Sequence, residues 1–331
     1  MAEYVATGTQ FIDSDDSSLH SFAADVHRGL TARTKHLHCV YFYDDRGSQL
    51  FEEICQQPEY YPARAEAEIL QAHAAELATL LTEDTALIEL GSGSSIKTRY
   101  LIEAFMERHD SVHYIPIDVS ETMLVETTAE LRSYYSNLTV EPVVARYEEG
   151  LAQIEETHQE PKLVLWLGGS IGNLGKKEAA AFLKNIVHGL TRHDHLMVGI
   201  DLFKDKSFLE SAYNDSAGLT AEFNLNILNR INNELGGNFN LGNFSHLAVF
   251  NEYAGRIEMY LRSNLAQTIR IDDLDLEIKL ADGELIHTEN SHKYKFEEIE
   301  TLGLRIGRRL KKQWLDSKRR FSLNLFTAIS S

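Results

Sequence analysis

The sequence predicts an α/β fold built on a mostly parallel sheet, with an antiparallel hairpin at the C-terminus. Short, uninterrupted apolar segments alternate with helix-like segments through the centre of the 331-residue chain. This alternation is typical of strands that are buried on both faces of a parallel sheet. The last two strand-like segments, 310–315 and 321–327, are joined by a short polar turn, which predicts the hairpin.

Five parallel strands and the helices between them are predicted in order. The strands are predicted over 86–90, 112–117, 138–144, 162–167 and 195–200. The helices are predicted over 97–108, 121–134 and 176–189. In a sheet of this kind the loops that follow the strands gather at one edge, where ligands bind.

The segments outside this core lack strand–helix alternation and are rich in aromatic residues and asparagine. The predicted elements there are a helix over 209–233, strands over 246–262 and 266–280, and a hairpin turn at Asp282-Gly283. We therefore expect two interleaved domains. The core comprises 65–201 and 294–331, and a second, substrate-binding domain comprises 1–64 and 202–293.

The composition disfavours several classes of protein. Hydrophobic residues make up 43% and charged residues 25%, as in ordinary globular chains. A net charge of −18 argues against binding to nucleic acid, although 305–320 is locally basic. The chain has no apolar run of ~18 residues that would span a bilayer, and residues 1–16 lack the basic and apolar regions of a signal peptide.

The cysteines and histidines do not predict a metal site. Cys39 and Cys55 form neither a C-x-x-C motif nor a disulfide framework, so we expect a cytoplasmic protein. Two pairs of histidines lie close in the chain, His36/His38 and His287/His292. Neither pair has a carboxylate or cysteine at the spacing typical of a metal site. We therefore expect no metal, and nothing in the sequence predicts an obligate protein partner.

The first strand ends in a glycine-rich loop, 89–93 (ELGSG). Glycines at this point let the backbone turn sharply and approach a ligand closely. A dinucleotide-binding loop and a phosphate-binding P-loop would each require glycine where Ile96 stands. The acidic-x-Gly-x-Gly pattern of methyltransferases fits Glu89, Gly91 and Gly93, but a simple strand-to-helix turn would give the same pattern.

A carboxylate, Asp118, ends the second predicted strand. A carboxylate at this position accepts both ribose hydroxyls of a nucleoside cofactor. NAD and S-adenosylmethionine share that ribose, so a nicotinamide dehydrogenase also fits, and Asp118 can equally cap the helix that begins near Ser120. Ile96 and the C-terminal hairpin favour S-adenosylmethionine and the Rossmann-like sheet of a class I methyltransferase.

Longer segments resemble the histidine Nα-methyltransferase family of the ergothioneine pathway, and the resemblance covers nearly the whole chain. The segments are 41–70, 87–102, 114–120 (YIPIDVS), 165–174 (LWLGGSIGNL), 199–205, 212–228, 256–261 (RIEMYL) and 287–294 (HTENSHKY). The resemblance implies that the core domain binds S-adenosylmethionine. It also implies a small-molecule amino-acid substrate and three methylations of the histidine α-amino group, which give hercynine.

The resemblance also implies roles for individual residues. Tyr60 and Asn173 would hold the substrate amino group, and Tyr43 would contact both the cofactor and the substrate carboxylate. The other substrate-side residues would be Tyr213 at the carboxylate, Glu289 and Ser291 at the imidazole, Met259 beside the ring, Phe51 at the methyl-transfer site, and Gly168 and Ser170 near the methylated nitrogen. The cofactor-side residues would be Tyr43, Gly91, Lys97, Asp118 and Tyr147.

One departure from the family pattern follows the third strand. The family's Gly-Asp-Phe string reads Ala-Arg-Tyr at 145–147. Tyr147 can replace the aromatic contact with adenine, but Arg146 cannot accept a hydrogen bond from the adenine amino group. Glu148 or backbone groups would then have to accept it.

Two alternatives stay open at the level of the sequence. The first is an Nα-methyltransferase of the same family that acts on another aromatic amino acid, such as a tryptophan derivative, which Glu289 and Met259 disfavour. The second is a non-catalytic nucleoside-binding protein, for which Arg146 is the only motivation.

Overall fold

The structure is a computed structural model that describes residues 17–329, with side chains from residue 22 onward. Residues 1–16, on which the expectation about a signal peptide rests, lie outside this part. Among the described residues, no helix combines the length and apolar character needed to cross a bilayer.

The described residues form the following strands and helices. The strands are β1 Ala86–Leu90, β2 Val112–Asp118, β3 Leu138–Val140, β4 Val143–Val144, β5 Lys162–Trp166, β6 His195–Asp201, β7 Phe244–Asn251, β8 Arg256–Ser263, β9 Gln267–Ile271, β10 Leu276–Leu280, β11 Leu285–His292, β12 Arg308–Leu315 and β13 Phe321–Ala328. The helices are α1 Ser17–Thr31, α2 Asp45–Cys55, α3 Tyr61–Thr79, α4 Arg99–His109, α5 Glu121–Tyr134, α6 Tyr147–Thr157, α7 Lys176–His188, α8 Lys206–Ala212, α9 Leu219–Leu235 and α10 Phe296–Arg305.

An eight-stranded sheet in the order β12-β13-β6-β5-β1-β2-β3, with β4 also beside β2, forms the core. The strands from β1 to β6 pair in parallel, and β13 runs antiparallel to both β6 and β12. The predicted class I α/β sheet and its antiparallel hairpin are therefore confirmed. The last strand of the hairpin lies inside the sheet, and β12 forms the edge.

The third predicted strand, 138–144, is divided into β3 and β4. Proline has no N–H to donate to a strand ladder, and Pro142 interrupts the pairing at this point. Both pieces still pair with β2, through Val140 and Val143.

The predicted helix over 209–233 is wrong in one respect, because it is two helices, α8 and α9, separated by 213–218. Gly218 takes a left-handed conformation with φ 76°, which favours glycine and starts the second helix. The Asp215 carboxylate accepts the backbone N–H groups of Leu219 and Thr220 at 2.8 and 2.7 Å, which stabilises that start. The interruption places Tyr213 at the end of α8.

Each of the two long strands predicted in the second domain is also a pair of strands. The segment 246–262 is the hairpin β7–β8, and 266–280 is the hairpin β9–β10. In the second hairpin the turn passes through Asp275, which has a positive φ of 42°. Both segments are apolar enough to be predicted as single strands, because their turns lack Pro-Gly or Asn-Gly signals.

The hairpin predicted at Asp282-Gly283 is wrong. The turn itself exists, with Gly283 at φ 77°, but β10 pairs with β9 whereas β11 pairs with β8. The reason is that Gly283 and Glu284 exchange backbone hydrogen bonds with Ser263 at the end of β8. The turn thus connects two different sheets, and β11 joins the three-stranded sheet β11-β8-β7.

A shared hydrophobic core connects the main sheet with the elements outside it. The same buried cluster contains Leu165 of β5, Met197 of β6, Phe223 of α9 and Ile257 of β8. The three-stranded sheet therefore shares this core with the main sheet, and Ser291 and His292 of β11 lie against Gly172 in the turn after β5. The domain boundaries given above stay a prediction.

Candidate active site

A cleft of about 520 Å³, including the space at its open mouth, lies beyond the carboxyl ends of β5 and β6. All ten residues that the resemblance implies on the substrate side line it: Tyr43, Phe51, Tyr60, Gly168, Ser170, Asn173, Tyr213, Met259, Glu289 and Ser291. Five further lining residues were missed in the sequence: Ile54, Gly169, Ala212, Thr220 and Phe223. The structure thus brings the predicted set together, while the role of each residue stays a prediction.

Aromatic rings form one wall of the cleft. The Tyr43 and Phe51 rings lie edge to face at 5.6 Å, Phe51 contacts Tyr60 at 6.0 Å, and Tyr60 contacts Tyr213 at 6.2 Å. Phe223 of α9 lies 5.6 Å from Tyr43 and 6.0 Å from Phe51. Edge-to-face packing of this kind fixes ring orientation. Phe223 stands on the buried face of α9, so helical periodicity indicates a core residue but not a cleft residue.

Strand β11 carries the two residues predicted to recognise an imidazole. Glu289 and Ser291 are two positions apart, so their side chains lie on the same face of the strand. Met259 of β8 stands directly opposite Glu289 in the register. Burial raises the pKa of Glu289 to about 7, an effect that the nearby ammonium of Lys293 opposes.

Four polar side chains in the cleft, those of Tyr43, Tyr60, Asn173 and Glu289, make no hydrogen bond with any residue of the range 22–329, and the buried Thr220 hydroxyl makes none either. Burial raises the pKa of both phenols well above the ordinary value. Tyr43 and Tyr60 therefore stay protonated at neutral pH and present O–H donors. Together the four groups provide donors and an acceptor for a polar ligand.

A buried cation that was not predicted from the sequence lies behind Tyr213 and Ser291. Lys293 directly follows β11, and its side chain is 0% exposed. Its ammonium donates to Asp201 Oδ2 at 2.7 Å, to the Tyr213 hydroxyl at 3.0 Å and to Ser291 Oγ at 2.8 Å. Tyr213 in turn donates to Ser291 Oγ at 2.7 Å. No local motif marks this lysine, because its partners come from β6 and α8.

Asp201 at the end of β6 pairs with this cation and with a second one. Its carboxylate also accepts from Lys204 Nζ and from the Tyr61 hydroxyl, each at 2.6 Å. Burial alone would raise the pKa of Asp201, but the ammonium groups of Lys293 and Lys204 outweigh it and hold the pKa below the usual value. The carboxylate therefore stays ionised and anchors the base of the cleft.

The glycine loop, Asp118 and Tyr147 lie together on the predicted cofactor side. Gly91 and Gly93 have positive φ values of 70° and 49°, and the Gly93 N–H donates to Asp118 Oδ2 at 2.9 Å. The Tyr147 hydroxyl approaches Gly91 so closely that a Cβ there would lie 2.6 Å from it. A glycine cradle beside a carboxylate at the end of β2 fits the amino-acid and ribose portions of S-adenosylmethionine, which Gly91 and Asp118 would hold, while Tyr147 would contact the adenine.

Lys97 pairs with a buried carboxylate, Glu66 of α3, which the sequence analysis missed. Glu66 is fully buried and also accepts the Gly168 N–H at 2.9 Å. Lys97 and Glu66 therefore connect the glycine loop with the turn after β5. A direct contact between Lys97 and the cofactor stays a prediction.

The acidic residue of the glycine motif turns away from the loop into the protein. The Glu89 carboxylate accepts from Thr98 at 2.8 Å and from the Tyr114 hydroxyl, and burial raises its pKa to about 7. Glu89 therefore stabilises the start of α4. Arg146 is exposed at the position before α6, and its effect on adenine binding stays a prediction.

Three side chains offer ligand atoms within 4.8 Å of one another: His113, His158 and Glu160. This group was not predicted from the sequence, because His113 on β2 is distant in the chain from the loop that carries His158 and Glu160. The expectation of no metal stays a prediction.

Comparison with known proteins reveals extensive similarity. Residues 22–328 match the model of a family described as histidine-specific methyltransferase, SAM-dependent. Two proteins named histidine N-alpha-methyltransferase are similar, one from Mycolicibacterium smegmatis at 40% identity, covering 94% of this chain and 96% of the relative, and one from Mycobacterium tuberculosis at 38% identity with the same coverage. Ergothioneine biosynthesis protein 1 of Neurospora crassa is 32% identical over 85% of this chain and 32% of its own length. The chain belongs to the S-adenosylmethionine-dependent, histidine-specific methyltransferase family.

Proposed function

We propose that the protein transfers methyl groups from S-adenosylmethionine to the α-amino nitrogen of L-histidine, in three steps that give hercynine. The observation that carries this proposal is the Glu289 carboxylate, which stands without a hydrogen-bond partner among the described residues in a cleft with an aromatic wall. Ser291 lies beside it on the same face of β11. A carboxylate and a hydroxyl at this spacing can each bind one nitrogen of an imidazole ring.

Tyr60 and Asn173 are the groups best placed to orient the substrate amine. Both line the cleft with unused hydrogen-bonding groups, and Asn173 ends the 3-10 turn that carries Ser170. When bound, S-adenosylmethionine supplies an electrophilic methyl group on a sulfonium. Much of the rate then comes from holding the amine lone pair in line with that group.

The amine must lose a proton before it can be methylated. The α-amino pKa is ~8 at a peptide terminus, so this loss is inexpensive near neutral pH. The raised pKa of the buried Tyr60 phenol excludes it as a phenolate base at neutral pH. We therefore assign proton removal to water, with Tyr60 acting as a hydrogen-bonding group.

Successive methylation requires space around the nitrogen. Gly168 and Ser170 are the small residues on that side of the cleft, and Gly168 has a positive φ of 76° that favours glycine. Their size is compatible with a dimethylated amine that stays bound and turns before the third transfer. A cytoplasmic location is part of the proposal, since Cys39 and Cys55 are free thiols.

The alternative substrate, a tryptophan derivative, fits the same cleft less well. Indole offers one N–H and no ring acceptor, so it cannot bind Glu289 and Ser291 together. Leaving one buried polar group unpaired costs about 1–3 kcal/mol. Met259 beside Glu289 further narrows the space for a larger ring.

Mass spectrometry of histidine incubated with enzyme and methyl donor tests the proposal. We expect mono-, di- and trimethylated histidine in sequence from the wild type, a large loss of turnover from Glu289→Ala, and no loss from Glu277→Ala, which removes an exposed carboxylate on β10. Methylation of a tryptophan derivative in preference to histidine would establish the alternative substrate. Binding of the methyl donor without transfer to any free amino acid would overturn the enzymatic assignment.

A further inference from the structure

A lysine buried beneath the cleft, Lys293, donates a hydrogen bond to one of the cleft hydroxyls. An ammonium has three N–H donors and no acceptor. In Lys293 these donors meet Asp201, Tyr213 and Ser291. Because an ammonium can only donate, Ser291 Oγ accepts from Lys293 whenever the 2.8 Å contact between them is kept.

Tyr213 occupies the second lone pair of the same serine oxygen. The Tyr213 hydroxyl accepts from Lys293 at 3.0 Å, and its own proton is directed to Ser291, 2.7 Å away. A serine hydroxyl has two acceptor lone pairs and one O–H donor. With both lone pairs engaged, only the O–H of Ser291 is left for a ligand in the cleft that Ser291 lines.

We infer that Lys293 is a positioning residue that, together with Tyr213, fixes Ser291 as a hydrogen-bond donor, so that the site selects a ring with one N–H and one unprotonated nitrogen. The inference rests on the proposed function and specifies the ring that is recognised. Ionised Glu289 accepts the ring N–H, and Ser291 donates to the unprotonated nitrogen. Neutral imidazole satisfies both groups. A five-membered ring that has carbon in place of the unprotonated nitrogen leaves the Ser291 proton unpaired.

The same arrangement changes the role expected of Tyr213. Its proton is used by Ser291, so Tyr213 in this arrangement has no donor for a substrate carboxylate. Tyr43 retains an unused O–H in the same cleft. We therefore assign the carboxylate to Tyr43 and the support of Ser291 to Tyr213.

Lys293→Met is the central variant, and Lys204→Met is its matched control. Lys204 donates to the same Asp201 carboxylate at 2.6 Å but contacts neither Tyr213 nor Ser291. The substrates are histidine and its two analogues pyrrol-2-ylalanine and pyrrol-3-ylalanine, which keep a ring N–H and replace the other ring nitrogen with CH. Their affinities are measured by calorimetry with S-adenosylhomocysteine present, and kcat/KM is measured with the methyl donor.

We expect the wild type to prefer histidine over both analogues by about tenfold or more. In Lys293→Met the preference should fall to within about threefold. The fall should come mainly from tighter binding of the analogues, because the Ser291 proton can then turn to Tyr213. A general structural defect would not raise the affinity for any of these ligands. Lys204→Met should keep the wild-type preference, with melting curves showing that both variants fold.

Ser291→Ala and the double variant test whether Lys293 acts through Ser291. Ser291→Ala should remove the preference, and adding Lys293→Met should change it no further. Should Lys293→Met not fold, Lys293→Gln replaces it, since its amide oxygen can accept the Ser291 proton and should also reduce the preference. An unchanged preference in the folded central variant, an equal fall in Lys204→Met, or a further change in the double variant would overturn the inference.

The two readouts separate this inference from the proposed function. A wild type that binds histidine better than the pyrrole analogues, yet transfers no methyl group, would support the inference and overturn the proposed function. A wild type that methylates histidine and the pyrrole analogues equally well would support methyl transfer to histidine and overturn the inference.

Discussion

The Gly168 amide donates a hydrogen bond of 2.9 Å to the Glu66 carboxylate, so helix α3 holds the turn that follows β5. Glu66 is fully buried, and its charge is neutralised by Lys97 at the end of the glycine loop. The loop on the predicted cofactor side and the turn on the substrate side are thus fixed by one carboxylate. We expect the relative position of methyl donor and amine to depend on this connection.

Replacing Lys97 with methionine should therefore lower both stability and affinity for the methyl donor. The change leaves Glu66 buried without a counter-ion, which we expect to lower the free energy of unfolding by about 3 kcal/mol, because removing one partner of a buried pair is strongly destabilising. Urea unfolding and calorimetric titration with S-adenosylhomocysteine measure the two effects. Lys184→Met, at an exposed position on α7, is the control. Wild-type stability in Lys97→Met would contradict the assigned role of the pair.

The neighbouring residues Tyr60 and Tyr61 should give opposite results when each is changed to phenylalanine. The Tyr60 hydroxyl faces the cleft without a partner, so Tyr60→Phe should lower kcat/KM for histidine by about tenfold and leave the melting temperature unchanged. The Tyr61 hydroxyl donates to Asp201, so Tyr61→Phe should lower stability by about 1–2 kcal/mol. Steady-state kinetics and thermal unfolding of both variants make the comparison. Equal kinetic losses would show that Tyr60 acts only as a packing residue.

The strand pattern was accessible from the sequence because it depends on local signals, and ten of the cleft-lining residues were accessible through the family resemblance. Alternation of apolar and helical segments predicts β1, β2, β5 and β6 to within about two residues, and the strings carried by the family resemblance point to Glu289 and Ser291. Turn geometry was less accessible. The signal at Asp282-Gly283 marks a real turn, but local sequence does not reveal that β11 pairs with β8.

The buried charge pairs were missed because each depends on residues far apart in the chain. Lys293 meets Asp201 and Tyr213 only after β6, α8 and β11 converge, and Glu66 meets Lys97 and Gly168 only after α3 packs on the sheet. A lysine or glutamate in isolation is usually solvated. Glu89 also acts at long range, since this residue of the glycine motif accepts hydrogen bonds from Thr98 and Tyr114 inside the protein.

Glu289 should make stability depend on pH. Its pKa is raised from the ordinary 4.5 to about 7 by burial, so the folded chain binds more protons than the unfolded chain across that window. The free energy of unfolding therefore falls as pH rises from about 4.5 to about 7. Glu289→Gln removes this contribution. The free energy of unfolding of Glu289→Gln should match that of the wild type near pH 4.5 and exceed it by about 1–3 kcal/mol at pH 8.

Chemical unfolding of both proteins at a series of pH values measures this effect. The expected sign is specific, because a carboxylate whose pKa is lowered would give the opposite slope. Glu277→Gln, at an exposed position on β10, is the control and should show no pH-dependent difference from the wild type. A stability difference for Glu289→Gln that is constant with pH would contradict a raised pKa at this position.

Gly172 should be sensitive to the addition of a single methyl group. A Cβ at this position would lie 3.0 Å from the His292 carbonyl oxygen and 3.3 Å from Ser291 Oγ, so the turn that carries Asn173 would have to move away from β11. Gly172→Ala should therefore raise KM for histidine by about three- to tenfold with a stability loss of about 1–2 kcal/mol, as expected of overpacking. Gly242→Ala, before β7, meets only Asn240 at 3.4 Å and should leave KM unchanged. If both variants bind histidine as the wild type does, Asn173 and Ser291 do not need this close packing to hold the substrate between them.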